Sequence, residues 1–580
     1  MSTRLATQGR LIDRNKQIEF TFNGKRMTGF AGDTLASALL ANDQMMVGRS
    51  FKYHRPRGLV AAGSEEPNAL VGLGSGARFE PNQRATTTEL FTGLESQSQN
   101  HWPSLEFDVL AINNKLGRFL TAGFYYKMFM YPRAAWKHVY EPIIRASAGL
   151  GKAPDKELKD ADTYEHFYFF ADVAVVGGGV AGLQAAKAAA ASGAKVLLLE
   201  QNAHWGGRAP VDGGTIDGEA PEVWIEKTRA ELAAMDNVTL RDRCMASGVY
   251  DHGYLLGYER LTDHAPAQGG PRHRLWRIRA KQIITATGAI ERPLSFAGND
   301  VPGVMLAGSM RDYVVNWGVT PGKRVVIATN NDDAYRTALV LQEAGCEVVR
   351  ILDARNNGGG VLMEEARAKG IRIECGRAIA KVEGGKRVKK VSICAQSGTG
   401  GAQEAIEAEA VAMSGGWSPV VHLWSHCGGK LTWDEAQAHF RPDATRPPLG
   451  EDGKGFVIAA GSADGEMGLG AALNNASAAG SKAAEAAGFP ARTVEAPRGA
   501  DAEEEAMEAV WLMPAQADIG LRMKTWLDYQ NDVKVSDVQL AAREGYESVE
   551  HTKRYTTLGM ATDQGKLSNI NGLAILADSL

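Results

Sequence analysis

Short apolar runs ending in glycine recur along this chain, and each predicts a buried strand feeding a tight turn. The clearest is residues 173–176, which lead directly into Gly177, Gly179 and Gly182. The Ala-rich stretch 181–191 then predicts a helix, and residues 195–199 predict a second strand ending in Glu200. Strand, turn, helix, strand and acid in that order predict a dinucleotide-binding βαβ unit. Gly177 permits the turn, Gly179 lets backbone approach a pyrophosphate, and Gly182 lets helix and strand pack closely. The free N–H groups of the helix N-terminus suit the phosphates. Glu200 lies 18 residues past Gly182, where a carboxylate would accept hydrogen bonds from an adenosine ribose.

The pattern is echoed at residues 323–328, 334–344 and 347–352, a strand, helix and strand ending at Asp353. Here Ala328, Asn330 and Asp333 stand where the glycines belong. Asp332 and Asp333 favour a helix start but repel a pyrophosphate, so this copy is expected to be kept for packing. Residues 283–293 (IITATGAIERP) and 456–465 (FVIAAGSADG) predict further strands of the first domain. Gly288 would turn the chain beside a cofactor, and Gly461 is followed by Ser462. In two-dinucleotide flavoproteins an aspartate usually follows that glycine and grips the ribityl chain of FAD, so Ser462 weakens the case for FAD and leaves NAD, which also carries an ADP half, as a serious occupant. A helix starting near Gly468 would also aim its N-terminus at the occupant.

At the front, residues 17–30 alternate apolar and polar positions around Asn23-Gly24, a hairpin signal, and Asp33 is expected to cap a helix at 34–41. Hairpin then helix predicts a β-grasp module. Residues 100–165 are aromatic-rich and helix-compatible, and residues 494–506 read as a linker or solvated helix start before a helical tail. The expected domains are 1–100, a β-grasp, ferredoxin-like module without a cluster; 101–165, a helical connector; 166–320 with 401–500, the dinucleotide-binding domain; 321–400, a second Rossmann-like domain; and 501–580, a helical module. The fold class is α/β, a two-dinucleotide-binding-domain core of disulfide-reductase type.

At 580 residues the chain exceeds one compact core. A net charge of −4 and a pI near 6.4 argue against a nucleic-acid partner. The absence of a 20-residue apolar run or a signal-like start predicts no membrane span and a cytoplasmic location. Five scattered cysteines contain no CxxC pair, which removes a thiol redox couple and an iron–sulfur site.

Three stretches go beyond a generic Rossmann pattern: FKYHRPRG with GSEEPNALV, ERPLSFAGNDVPGVMLAGSMRDYV, and DYQNDV with EHTKRYTTLGMATDQGK. Together they resemble the α subunit of heterotetrameric sarcosine oxidase, from about residue 17 to 580. In that family the α chain continues into a folate-binding aminomethyltransferase-like domain, so this sequence is expected to be a fragment or a short relative. The resemblance implies NAD in this chain, FAD in a β-type subunit, FMN at the α/β interface, and γ and zinc-binding δ partners. Carried over, the NAD contacts fall at Ala181, Glu200, Gln201, Asn202, Arg208, Ala246 and Leu469. The N-terminal module resembles the ferredoxin-like fold of cluster-binding dehydrogenases, yet no cysteine precedes Cys244.

Two readings stay open for the basic run Lys52, His54, Arg55 and Arg57: an anion contact, such as the FMN phosphate or an acidic subunit surface, or a solvated loop. Lys553, Arg554 and Lys566 pose the same choice. His422 and His426 sit at i, i+4, but nothing supplies further metal ligands, and no catalytic constellation stands out. His204 and Trp205 are expected to line the nicotinamide or flavin end of the pocket. The expected function is cofactor holding and assembly within a sarcosine oxidase-like oxidoreductase. Rivals are a related N-methylglutamate, proline, opine or cyanide-forming dehydrogenase, a self-sufficient FAD-dependent NAD(P)H oxidoreductase, and a non-catalytic scaffold.

Overall fold

The computed structural model describes residues 3–580 apart from 118, 119, 124–126, 128, 130 and 150. Part of the aromatic connector expected at 100–165 therefore lies outside the described residues. The chain divides into two compact units, Met1–Ala161 with Glu291–Gly416 and Glu504–Leu580, and Asp162–Ile290 with Trp417–Glu503.

In the second of these units a seven-stranded sheet is built around Tyr164–Val176 and His273–Thr285, which run parallel over 12 paired residues. Val196–Leu199 and Val238–Arg241 extend it on one side, and Val457–Ala459 joins the inner half of His273–Thr285. The outer half carries the antiparallel strands Tyr254–Arg260 and Cys244–Tyr250. The apolar run 173–176 is central and buried, as parallel pairing on both edges requires. The crossover helix Val180–Ala191 is rich in alanine, seven of its 12 residues, and packs against Leu469–Ala486 at close range. A Cβ on Gly480 would collide with the Ala185 carbonyl, so only glycine fits that crossing.

The other unit holds several sheets and the helical tail. Its N-terminal sheet runs Lys25–Ala31, Asp13–Phe22, Glu95–Gln97, Leu70–Leu73 and Glu80–Arg84. The expected hairpin is present, with Asn23 and Gly24 both at positive φ, and the helix is Leu35–Ala41. Its cap is Thr34, one residue later than expected; Asp33 instead accepts from Phe30 N–H and the Ser37 hydroxyl.

A five-stranded, all-parallel sheet orders Val304–Leu306, Ala410–Ser414, Arg324–Thr329, Glu347–Asp353 and Ile373–Cys375. This corrects two expected boundaries. Residues 291–320 and 401–416 fall within the first nucleotide domain on sequence pattern, but Val304–Leu306 and Ala410–Ser414 pair into this second sheet. An apolar run ending in glycine reads the same in either sheet, and pairing partners decide.

The tail carries helices Val535–Arg543, Val549–Thr556 and Asn569–Ser579 around Leu527, Val538, Leu558 and Ile575. It is not wholly helical as expected: residues 501–510 form neither helix nor strand, and Trp526–Asp528 pairs with Val533–Lys534.

Candidate functional site

The first crossover turn is built by steric exclusion. Gly177 sits at φ +110°, and a Cβ there would strike the Ala286 carbonyl; a Cβ on Gly182 would run into the Gly177 carbonyl oxygen. Gly178 is equally confined, with Trp205 at 2.5 Å and the Glu200 Cβ at 2.8 Å from an added methyl. Gly179 differs: its nearest neighbour is the Gly207 Cα at 3.8 Å, so its face stays open. The turn is pinned by Gly206 N–H donating to the Gly178 carbonyl at 2.8 Å. The N-terminus of Val180–Ala191 therefore presents open backbone, the arrangement that suits an anionic ligand at a helix start.

Glu200 ends the second strand and is 5% exposed. Its carboxylate accepts from Gly178 N–H and Asn202 N–H, each at 2.7 Å, so it holds the turn. Burial pushes its carboxyl up to about 7, against the N–H donors that favour the ionised form. With the folded value above the ordinary 4.5, the folded chain binds this proton more tightly than the unfolded chain. Stability from this group is present below about pH 4.5 and lost as pH rises through about 7. Urea unfolding of the nucleotide-free chain should therefore show a falling limb between about pH 5 and 7.5, and Glu200→Gln should reduce its drop by about 2 kcal/mol.

The other expected contacts distribute around this turn. Ala181 is the second helical residue, and a Cβ on Gly461 would meet its Cβ at 2.5 Å, so Gly461 closes on the helix start. Gly461 has φ +64° and donates to Asn475 Oδ1 at 2.8 Å. Leu469 begins the helix Leu469–Ala486, and its N–H donates to Asp501 at 3.1 Å. The Gln201 carbonyl accepts from Arg260, and the Asn202 carbonyl accepts from Arg243 N–H. Ala246 lies on the strand whose first residue, Cys244, donates to the Glu200 carbonyl. Gly288 has φ +73° with open space around it. Arg208 is engaged by Asp212 at 2.7 Å and stacks 4.7 Å over Trp417. Sequence pattern does not reveal Gly178, Asn475 or Asp501, because a lone glycine or acid in a loop, or a lone polar residue on a helix, carries no distinguishing signal.

The second crossover is sealed by its own chain. Residues 504–508 lie across its turn: Glu505 N–H donates to Asp332 at 2.8 Å, Glu508 N–H to the Asn330 carbonyl, and Asn330 Nδ2 to the Glu508 carbonyl at 2.7 Å. Asp332, wholly buried, is paired with Arg355 at 2.6 Å, and Asp333 is paired with Arg311 at 2.9 Å. Asp353, also buried, takes Arg355 and the Tyr335 hydroxyl. Every acid expected to repel a phosphate is thus neutralised internally, and the place of a phosphate is filled by backbone. Asn330→Ala removes one of these links. It should cost about 1–2 kcal/mol and speed proteolytic cleavage near residues 504–508.

In the N-terminal module, Glu66 is completely buried. Its Oε2 accepts from Val60 and Ala61 N–H at 2.8 and 2.6 Å, its Oε1 from Asn68 and Ala69 N–H at 2.7 and 3.0 Å. The basic run is no solvated loop. Arg55 binds Asp532 and Asp300 and lies 3.5 Å over Trp526, while His54 contacts Asp108 at 2.8 Å.

Among the described residues no three His, Cys, Asp or Glu side chains gather to hold a metal ion, and no helix is long and apolar enough to cross a membrane. His426 stacks on Tyr250.

Fold and turn together define an α/β protein with two dinucleotide-binding-type domains and a ferredoxin-like module at its front. Residues 171–438 match the pyridine nucleotide-disulphide oxidoreductase family, 15–101 the 2Fe-2S iron-sulfur cluster binding domain, and 522–580 the sarcosine oxidase A3 domain. Over 99% of its length the chain is 45% identical to the sarcosine oxidase α subunit of Rhizobium meliloti (strain 1021), and over 98% it is 35% identical to that of Corynebacterium sp. (strain P-1). It spans about half of those relatives, 56% and 54%. An opine oxidase subunit of Agrobacterium tumefaciens (strain Ach5) is 28% identical over 50% of the chain and 60% of its own length. The structure of L-proline dehydrogenase from P. horikoshii shares the fold, with a TM-score of 0.66 at 19% identity, covering 100% of this chain and 94% of that one. The resemblance to the sarcosine oxidase α chain therefore extends along the whole sequence.

The residues present do not fit a 2Fe–2S cluster. Such clusters are held by cysteine thiolates, no cysteine precedes Cys244, and the loop's donors converge on Glu66.

Proposed function

We propose that this chain is the α-type subunit of a sarcosine oxidase-like oxidoreductase and holds NAD in its first crossover. The observation that carries this reading is the contrast between the two turns: one open at Gly179, the other crossed by residues 504–508. A self-sufficient NAD(P)H oxidoreductase needs two nucleotide sites, and the sealed second turn counts against that rival. The chain's own part is to bind and orient: Gly177, Gly179 and Gly182 shape the phosphate cradle, and Glu200 faces the ribose. In this reading an N-methyl amino acid, sarcosine going to glycine, is oxidised at FAD in a β-type subunit, with electrons leaving through FMN at the interface to oxygen. Subunits of γ and zinc-binding δ type complete a cytoplasmic assembly, and this chain contributes one wall of the FMN interface.

The test is to purify the chain alone and identify released cofactor by absorbance and mass. NAD without a flavin spectrum is the expected result. Stoichiometric FAD together with NADH oxidation by the isolated chain would overturn the proposal. Coexpression with β, γ and δ partners should then restore sarcosine-dependent oxygen consumption; turnover of an opine instead would move the substrate to the opine oxidase side of the resemblance.

A further inference from the structure

The long strand Tyr164–Val176 is paired on both edges only at its inner end. Val196–Leu199 lies beside residues 173–176, whereas 165–171 pair with His273–Thr285 on one edge alone. Among the described residues no backbone hydrogen bond reaches the other edge of 165–171. Alternate N–H and C=O groups of a parallel strand point away from a single partner, so this edge offers a row of donors and acceptors. Nothing along it deters a further strand: residues 165–171 (EHFYFFA) contain no proline or lysine, and their pairing runs without a bulge. Their one acid, Glu165, is engaged by Arg274 at 2.6 Å.

The side chains here are as open as the edge. Phe167 is 43% exposed, Tyr168 63% and Phe170 68%. Successive residues of a strand point to opposite faces, and a cation lies on each face. Lys195 Nζ sits 4.5 Å over the Phe169 ring, and its carbonyl accepts from Asp172 and Val173 N–H where the open edge begins. The Arg277 guanidinium lies 5.4 Å over the Tyr168 ring and donates to its hydroxyl at 2.6 Å. Neither cation forms an ion pair among the described residues. The nearby acids Glu165, Glu259 and Asp172 are held by Arg274 and Lys281 instead.

Unpaired backbone beside exposed aromatic rings suits an extended partner, and the two cations set its sign. A second copy of this edge would bring four like charges together, whereas an acidic strand would neutralise them.

We propose that residues 165–171 dock an extended acidic segment of a partner chain as an added β-strand, its backbone on the open edge and its carboxylates on Lys195 and Arg277. This does not depend on the NAD assignment above.

Three fluorescently labelled peptides test it against the full chain: one of alternating glutamate and valine, the same peptide N-methylated at every residue, and one of alternating lysine and valine. The first should bind saturably by anisotropy, weaken with salt, and protect the amides of 165–171 from hydrogen exchange. The other two should bind at least about tenfold more weakly, since one lacks the N–H donors and the other the charge. Lys195→Glu with Arg277→Glu should keep the circular dichroism spectrum and weaken the acidic peptide by about the same factor. Equal binding of the N-methylated or lysine peptide, no saturable binding in the millimolar range, or no protection at 165–171 would overturn the proposal. Protection of 165–171 that rises with the concentration of the chain alone would make a second copy the occupant and overturn it too.

Discussion

Gly182→Ala should strip the chain of copurifying nucleotide by more than tenfold and lower its stability by about 3 kcal/mol. The added methyl has nowhere to go, because the Gly177 carbonyl occupies its place and that carbonyl belongs to backbone rather than to a flexible side chain. To admit it, the helix Val180–Ala191 must move off the strand Tyr164–Val176, and the N–H groups of that helix form the proposed phosphate cradle. Gly179→Ala is the informative partner. Its methyl would stand 3.8 Å from the Gly207 Cα, in ordinary contact, so the fold should persist while the phosphate face is obstructed. Nucleotide content by mass spectrometry and urea midpoints separate the two effects. A Gly182→Ala chain that retains full nucleotide would refute the cradle.

Glu66→Ala should be the most damaging change in the N-terminal module, at about 4 kcal/mol. Removing the carboxylate leaves four N–H donors facing a cavity, and each buried unsatisfied group costs about 1–3 kcal/mol, reduced where water can enter. Glu66→Gln keeps the volume and one accepting oxygen but turns an NH2 toward two donors, so about 2 kcal/mol is expected. Urea denaturation with an unchanged m-value checks both, and a Glu66→Ala chain as stable as the wild type would refute this role.

How much of this was legible beforehand depended on whether a signal was local. The first crossover could be read because strand, glycines, helix and acid lie within one short stretch and each has a steric reason. The degenerate second turn was equally visible in Asn330 and Asp333. What closes it was not: residues 494–506 read as a linker or solvated helix start, and the partners of 504–508 lie far back in sequence, Asn330 178 residues from Glu508. The basic run shows the same limit. Its charges fit an anion contact or a solvated loop equally until Asp300 and Asp532 are placed, 245 and 477 residues away. Glu66 was hidden for a different reason. Within GSEEPNALV nothing distinguishes an inward carboxylate from its neighbour Glu65, and only the backbone path turns four donors onto one of them. The misassigned strands at 304–306 and 410–414 follow from pairing, which apolar runs do not encode.

The carboxylate at the heart of the N-terminal module also bears on biogenesis. A loop tied to its own glutamate needs no inorganic guest to take shape, so this part of the protein should mature without cluster-assembly machinery. Cells grown under iron starvation, or lysates treated with a strong chelator, should yield it folded and undiminished.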